Sequence, residues 1–134
     1  LGTVNPLAHD VPAYWRGLLA ARSGIAPITL FDTSGHKVRI GGEVKGFKPE
    51  PVIDARAAKR LDRVVQFGMV AAHEALADSG IDVAKEDPFR CGVIVGSGIG
   101  GLAEFEAGHH DLLDPAKGPN RLSPFVIPKM IANS

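Results

Sequence analysis

The sequence predicts an α/β layered protein in which helices pack against a sheet that the chain supplies only in part. Three observations lead to this prediction: a long helical stretch with one apolar face, a short continuous apolar run, and a glycine-rich turn that leads into another helix. A continuous apolar run is typical of a strand buried on both faces. Because only two strands are readable, we expect the missing strands outside the chain or in another chain.

The first elements along the chain are a helix and a half-buried strand. The triplet Asp10-Val11-Pro12 predicts a helix start with Asp10 as N-cap, and Gly24 is the expected stop. In residues 37–44, apolar positions alternate with polar or glycine positions, which predicts a strand. The pair Gly41-Gly42 is expected to bend or bulge that strand.

The central elements carry the clearest periodicity. Apolar and small residues in 61–76 keep one face of a long helix apolar up to Ser79-Gly80, which predicts a buried central helix. Residues 91–95 form the continuous apolar run, and residues 96–101 form the glycine turn. The helix expected after the turn carries Leu102, Phe105, Leu112 and Leu113.

The last segment predicts one more helix start. Ser123 is a potential N-cap, Pro124 would take the first helical position, and Pro128 would kink or restart the helix. The segment then breaks off without a helix-ending signal, and the chain does not begin with methionine. We therefore expect a chain cut at both ends.

Composition restricts the class of protein. Of the 134 residues, 45% are apolar and 22% charged, and 15 basic residues balance 15 acidic ones. This balance does not favour nucleic acid or an anionic membrane as a partner. There is no readable signal peptide or run of about 18 apolar residues, and the single cysteine suits a reducing compartment. These features predict a cytoplasmic protein.

Two motifs invite a functional interpretation. The turn Gly96-Ser97-Gly98-Ile99-Gly100-Gly101 fits the spacing of a dinucleotide-binding loop after a strand. However, residues 114–120 carry no second apolar strand with an acidic end, so a sharp backbone turn is the preferred interpretation. Cys91 opens an apolar strand with no histidine nearby in sequence, so we expect a buried structural cysteine instead of a nucleophile.

The remaining polar clusters are predicted to lie on the solvent-exposed surface and not to form a metal or catalytic site. His109 and His110 point about 100° apart on a helix, and His110 with Asp114 gives only two ligands, so we expect no metal. No motif surrounds the other three histidines, His9, His36 and His73. A further cluster mixes both signs of charge and predicts a solvated face. Its members are Arg56, Lys59, Arg60, Asp62 and Arg63.

Taken together, the segments resemble the β-ketoacyl-[acyl-carrier-protein] synthase family, most closely the type II elongating enzymes. The similarity covers essentially the whole chain, and the set of motifs is specific although each alone is weak. The matching segments are Trp15-Arg16-Gly17-Leu18-Leu19-Ala20, Arg22-Ser23-Gly24-Ile25, Phe31-Asp32-Thr33-Ser34, Ala77-Asp78-Ser79-Gly80, the glycine turn with Leu102, and Gly118-Pro119-Asn120-Arg121-Leu122-Ser123-Pro124-Phe125.

The resemblance implies a thiolase-like fold, of which residues 1–134 would be a partial N-terminal half, and a homodimer. It also implies an acyltransferase that moves an acyl group from acyl carrier protein onto a cysteine and condenses it with malonyl carrier protein, losing carbon dioxide. It implies no cofactor. The nucleophile and two histidines of the family come after this chain, and a first strand comes before it, so no catalytic residue is expected here.

The resemblance does assign three residues of this chain to an acyl pocket. Ile99 corresponds to the residue that gates acyl-chain length. Phe125 and Val126 fall where the family often has a Phe-Phe pair, and Val126 would widen the pocket locally. Two functional hypotheses stay open: part of a condensing enzyme that is inactive in isolation, or a noncatalytic partner of the chain-length-factor type or a polyketide synthase segment.

Overall fold

The computed structural model describes residues 1–117 and 119–131. In chain order the elements are α1 (Val11–Leu19), β1 (Ile25–Pro27), β2 (Ile40–Gly42), α2 (Ala55–Ala58), α3 (Arg63–Ser79), a 3-10 helix (Val83–Lys85), α4 (Leu102–Leu113), a second 3-10 helix (Pro119–Arg121) and α5 (Val126–Met130). They fall into two units. Unit 1 contains Leu1–Lys48 and Val70–Ile81, and unit 2 contains Pro49–Met69 and the described residues from Asp82 onward.

The predicted first helix is confirmed, with a different end. Asp10 is the N-cap of α1, and its carboxylate accepts a hydrogen bond of 2.6 Å from Ala13 N–H. Pro12 lies in the first turn, where its missing N–H costs no helical bond. The helix ends at Leu19, five residues before Gly24, and Ala21 takes a left-handed φ of 51° just after it.

A part-buried contact inside unit 1 fixes the N-terminal segment to α3. Glu74 on α3 accepts Thr3 N–H at 2.9 Å with one carboxylate oxygen and Val11 N–H at 2.7 Å with the other. Val11 is the first residue of α1, whose N–H has no partner inside the helix. One carboxylate therefore satisfies two backbone donors and connects three segments of the chain.

The sheet of unit 1 has two antiparallel strands. Ile25 pairs with Gly42, and Pro27 pairs with Ile40. The strand expected over residues 37–44 is confirmed only for Ile40–Gly42. Both members of the Gly41-Gly42 pair lie in the paired strand.

Glu43, directly after β2, holds the loop that follows β1. Its carboxylate accepts bonds from Thr29 N–H, the Thr29 hydroxyl and Leu30 N–H at 2.8–3.0 Å, and lies 3.1 Å from Lys45 Nζ. Burial raises the pKa of Glu43, but the hydrogen bonds from Thr29, Leu30 and Lys45 outweigh that effect and lower the pKa to about 2. The charged carboxylate of Glu43 thus holds the loop after β1 in place through these hydrogen bonds.

The long helix α3 is confirmed in extent but not in burial. It runs from Arg63 to Ser79, and Gly80 follows with a φ of +68°, the left-handed conformation expected of a terminating glycine. The prediction of a buried central helix is wrong, because none of the residues of α3 is buried and Leu76 exposes 52% of its surface. The described strands are too few to form a sheet that could cover its apolar face.

The strand expected at residues 91–95 does not form. The segment is irregular in the structure, and Val93 and Ile94 expose 90% and 99% of their surface. Cys91 is also exposed, so the prediction of a buried cysteine is wrong. A strand buried on both faces needs hydrogen-bonding neighbours and covering helices, and the only sheet among the described residues, β1–β2, belongs to unit 1.

In the part of the chain that the structure describes, no helix combines the length and apolar character needed to cross a membrane.

Candidate functional site

The glycine turn at residues 96–101 is built by local hydrogen bonds and glycine-specific conformations. Ser97 Oγ accepts Gly100 N–H at 2.9 Å. Gly100 has a φ of +82°, a region that side chains strongly disfavour. Gly101 is buried and is the N-cap of α4. The turn therefore ends in a fixed helix start, although its earlier residues are exposed.

The end of α5 lies directly against this turn. Gly101 N–H donates a hydrogen bond of 2.8 Å to the carbonyl of Met130, the last residue of α5. A Cβ at Gly100 would overlap the same carbonyl oxygen. Gly100 is thus required both for its dihedral angle and for the close approach of α5.

A buried carboxylate approaches Gly101 as well. A Cβ at Gly101 would lie 2.7 Å from Asp62 Oδ2 and 2.9 Å from the carbonyl oxygen of Lys129. Asp62 exposes only 7% of its surface, and its other oxygen accepts Val64 N–H at 2.8 Å, capping the start of α3. The prediction of a solvated charge cluster is therefore wrong for Asp62, because this carboxylate is packed between a helix start and the glycine turn.

Two basic members of that cluster lie over aromatic rings. The guanidinium carbon of Arg60 is 5.9 Å from the centre of the Phe125 ring, and that of Arg63 is 5.1 Å from the centre of the Phe67 ring. Such cation–π contacts contribute about 0.5–1 kcal/mol at exposed sites. They fix the local position of the Arg60 and Arg63 heads, which stay near solvent.

The helix after Ser123 begins later than the sequence predicts. The N-cap of α5 is Phe125, and Ser123 Oγ accepts Phe125 N–H at 3.2 Å in the preceding turn. Pro128 is the third residue of α5 and neither kinks nor restarts it. The N–H groups of the first turn have no intrahelical acceptor, so proline at this position removes no helical bond.

An ion pair joins α4 to α5 beside the backbone bond. Lys129 Nζ lies 3.0 Å from Glu104 Oε1, and both side chains are part-buried. Elsewhere on the packed surface of the two helices, Val126 fills the space beside Gly108, where a Cβ would lie 3.2 Å from Val126 Cγ1.

The three residues expected in an acyl pocket lie in this region without lining one cavity. Ile99 is 71% exposed and lines an open cavity of about 320 Å³. Phe125 lies under Arg60, and Val126 lies against α4, so both are outside that lining. The other lining residues are Val95, Ser97, Gly98, Gly100, Met130 and Ile131. α5 relates the three residues, because it begins with Val126 directly after Phe125, and its last residue, Met130, lines the cavity together with Ile99.

The histidines lie apart from this region or on exposed faces of it. The His109 ring stacks on Phe105 at 6.4 Å, and His9 packs edge-on against Phe47 at 5.7 Å. Within residues 1–117 and 119–131, no three His, Cys, Asp or Glu side chains are grouped as a metal site would require. Near the end of α4, the hydrogen bond from Lys117 to Asp111 raises the pKa of Lys117.

The glycine turn does not have the surroundings of a dinucleotide site. It follows an irregular exposed segment, and the described residues after α4 contain a 3-10 helix, Pro119–Arg121, and α5, but no strand. A Rossmann unit places the turn between two parallel strands of one sheet. The turn acts instead as the start of α4 and as the surface on which α5 ends.

Sequence reasoning missed three parts of the site: the burial of Asp62, the contact between Gly101 and Met130, and the Glu104–Lys129 pair. Asp62 had one usable signal, since aspartate just before an amphipathic helix is a preferred N-cap. The other two contacts join positions more than 24 residues apart and have no local signature.

Comparisons of the sequence with known proteins all indicate the same family. The family model for the β-ketoacyl synthase N-terminal domain matches residues 1–134. The 3-oxoacyl-[acyl-carrier-protein] synthase 2 of Vibrio cholerae is 42% identical over 133 residues, 99% of this chain and 32% of the relative. The enzyme of the same name from Synechocystis sp. is 44% identical over 133 residues, with the same two shares. The chain thus spans about a third of the length of these curated relatives.

Solved structures add the fold. The ishigamide ketosynthase/chain length factor matches with a TM-score of 0.80 at 30% identity, over 98% of this chain and 32% of that chain. A type II PKS ketosynthase, solved in complex with its acyl-carrier protein, matches with a TM-score of 0.65 at 24% identity, over 97% and 33% of the two chains. The expected α/β fold is therefore supported as ketosynthase-like, while the described residues themselves form helices and one two-stranded sheet.

Proposed function

The chain belongs to the β-ketoacyl synthase family through its N-terminal domain, and we propose that it is part of a 3-oxoacyl-[acyl-carrier-protein] synthase of fatty acid elongation. The observation that carries this proposal is the match over the whole chain to relatives of that name, at 42–44% identity. The Staphylococcus aureus enzyme of the same name adds a third match, at 42% identity over 131 residues.

The proposed reaction has two steps. An acyl group passes from the thiol of acyl carrier protein to a cysteine thiolate of the synthase, and the carrier thiol leaves. Malonyl carrier protein then loses carbon dioxide, and the resulting enolate carbon attacks the acyl thioester, which releases the cysteine and leaves 3-oxoacyl carrier protein. The cysteine and histidines of these steps belong to the remainder of the protein, and the steps need no cofactor.

Residues 1–134 contribute scaffold and pocket wall in this proposal. Ile99 would meet the acyl chain, since it stands exposed at an open cavity at the end of the glycine turn. Phe125 and Val126 would support the wall from α5, with Val126 occupying less space than the aromatic residue found there in many family members. An apolar side chain at each position suits contact with an alkyl chain, which gains about 0.8 kcal/mol per buried CH₂.

The proposed partners are acyl carrier proteins bearing acyl and malonyl groups, and a second copy of the full-length protein. The names of the relatives include acyl carrier protein as the carrier of the 3-oxoacyl group, and this motivates the first proposed partner. A cytoplasmic site of action stays a prediction.

A second candidate function is a noncatalytic partner of the chain-length-factor type. It is favoured by one observation, the likeness at 30% identity to a ketosynthase/chain length factor. The two candidates differ at the position of the catalytic cysteine, after residue 134. A Thr-Ala-Cys sequence there favours the enzyme, and another residue in place of the cysteine favours the partner.

The test is a condensation assay with the full-length protein. We expect purified protein, acyl carrier protein charged with a C10 acyl group and malonyl carrier protein to yield 3-oxoacyl carrier protein, detected by mass spectrometry. Residues 1–134 alone should form no acyl-enzyme, and a Cys91→Ser variant of the full-length protein should keep its activity. Covalent acylation at Cys91 would contradict the proposal, because this exposed thiol would then be the nucleophile.

A further inference from the structure

Two adjacent connections hold the end of α5 against the start of α4. The first is the backbone bond of 2.8 Å from Gly101 N–H to Met130 O. The second is the ion pair of 3.0 Å between Glu104 and Lys129. Lys129 directly precedes Met130, and Glu104 lies in the first turn of the helix that Gly101 caps. The ion pair therefore joins the same two short segments as the backbone bond.

The Glu104–Lys129 ion pair is better shielded from solvent than the Asp82–Lys85 pair of the same unit. The Lys129 and Glu104 side chains expose 21% and 32% of their surface, whereas Lys85 and Asp82 in the exposed pair of the same unit expose 81% and 52%. Charges that are partly removed from water attract each other more strongly and are screened less by salt. The Glu104 carboxylate also lies in the first turn of α4, where the helix dipole favours a negative charge.

Both joined segments line one cavity. Ile99 and Gly100 line it from the glycine turn, and Met130 and Ile131 line it from the end of α5. Any change in the distance between the two segments changes the width of the cavity at Ile99. The ion pair lies outside the lining, so it acts on the cavity only through the backbone positions of the two segments.

We propose that Glu104 and Lys129 are positioning residues that set the width of the cavity at Ile99 and thereby the acyl-chain length that the synthase prefers. This inference rests on the proposed function. With the pair intact, the turn and the end of α5 keep one spacing, and a chain of matching length is favoured. Without the pair, the backbone bond and the packing of Val126 beside Gly108 still hold the helices together, but the spacing at the cavity is less fixed and discrimination between chain lengths weakens.

The experiment uses the full-length protein and compares kcat/KM for C10 and C16 acyl carrier proteins. Glu104→Gln and Lys129→Met remove the pair without large changes of side-chain size, and Lys129→Arg retains it. Lys85→Met is the matched control, because it removes the exposed ion pair of the same unit. We expect the C16-to-C10 ratio to change about two- to fivefold in Glu104→Gln and Lys129→Met, a range typical of a modest ion pair. Lys129→Arg and Lys85→Met should keep the wild-type ratio.

A charge exchange separates positioning from stability. The double variant Glu104→Lys with Lys129→Glu should restore at least part of the wild-type ratio, whereas a general loss of stability would lower both kcat/KM values together. An unchanged ratio in both pair-removing variants, with wild-type condensation intact, would overturn this inference and leave the proposed function standing. A wild-type protein that condenses no acyl group would instead overturn the proposed function on which the inference depends.

Discussion

Substitution of Gly101 by alanine tests the close packing of the glycine turn. Gly101 has a φ of −79°, which any residue adopts, so strain in the backbone itself does not enter. The cost comes from space, because the added Cβ would lie 2.7 Å from Asp62 Oδ2 and 2.9 Å from Lys129 O. Both distances are shorter than ordinary van der Waals contact, so at least one neighbour has to move.

The magnitude follows from what each neighbour would give up. Lys129 O is a backbone atom of α5, and its displacement also strains the adjacent bond from Gly101 N–H to Met130 O. Asp62 is buried and caps α3, and loss of such a cap costs about 1 kcal/mol. Overpacking of a filled site costs about 1–3 kcal/mol. We expect Gly101→Ala to lower the free energy of unfolding by about 2–3 kcal/mol.

Gly98→Ala is the matched control in the same turn. A Cβ at Gly98 meets no atom within 4 Å, and Gly98 does not adopt a left-handed φ. Its effect should be neutral or stabilising by up to about 1 kcal/mol, since alanine restricts the unfolded chain. The measurement is urea unfolding followed by far-UV circular dichroism. Equal midpoints and slopes for the two variants would refute the packing argument for Gly101.

Three further predictions concern other parts of the chain. Glu74→Gln should lower the free energy of unfolding by about 1–3 kcal/mol, because one of two backbone N–H groups loses its acceptor, while Glu106→Gln on the exposed surface of α4 should change it by less than about 0.5 kcal/mol. Equal losses in urea titrations would contradict this role for Glu74. The depressed pKa of Glu43 means that its contribution to stability is present above pH 4.5 and lost as the pH falls toward about 2. The melting temperature of Glu43→Gln should therefore lack part of the wild-type decrease over that range, and parallel curves would speak against it. Under the proposed function, Ile99→Phe in the full-length protein should lower kcat/KM for C16 relative to C10 acyl carrier protein by about tenfold, because the larger aromatic side chain narrows the cavity by more than one methylene. An unchanged C16-to-C10 ratio would place Ile99 outside the acyl path.

Helix starts and stops were predictable from local chemistry. Asp10 caps α1 and Gly80 ends α3 because each residue type has a strong preference for that position within a few residues of sequence. The helix over residues 102–113 was likewise predictable from its apolar spacing. Such signals need no knowledge of what the helix packs against.

Burial and strand pairing were not predictable in this way. Residues 91–95 have the composition of an internal strand, but a strand forms only when neighbouring strands complete its hydrogen bonds. The N-cap preference of aspartate could place Asp62 at the start of α3, but it could not indicate that Asp62, alone among the five charged positions of this cluster, would be buried. Ile99, Phe125 and Val126 became candidates through resemblance to a family, since no local pattern distinguishes a pocket wall from plain core.

The exposed run at residues 91–95 has a consequence for handling the protein. It contains three consecutive β-branched residues, Val93, Ile94 and Val95, no proline, and no charge within the run. A segment of this kind can align with the same segment of another molecule and form intermolecular β-structure. Its self-association would depend on at least the square of protein concentration, so dilution should slow precipitation far more than it slows unfolding. Arg90, just before the run, places one repelling charge per molecule at the edge where such strands would meet.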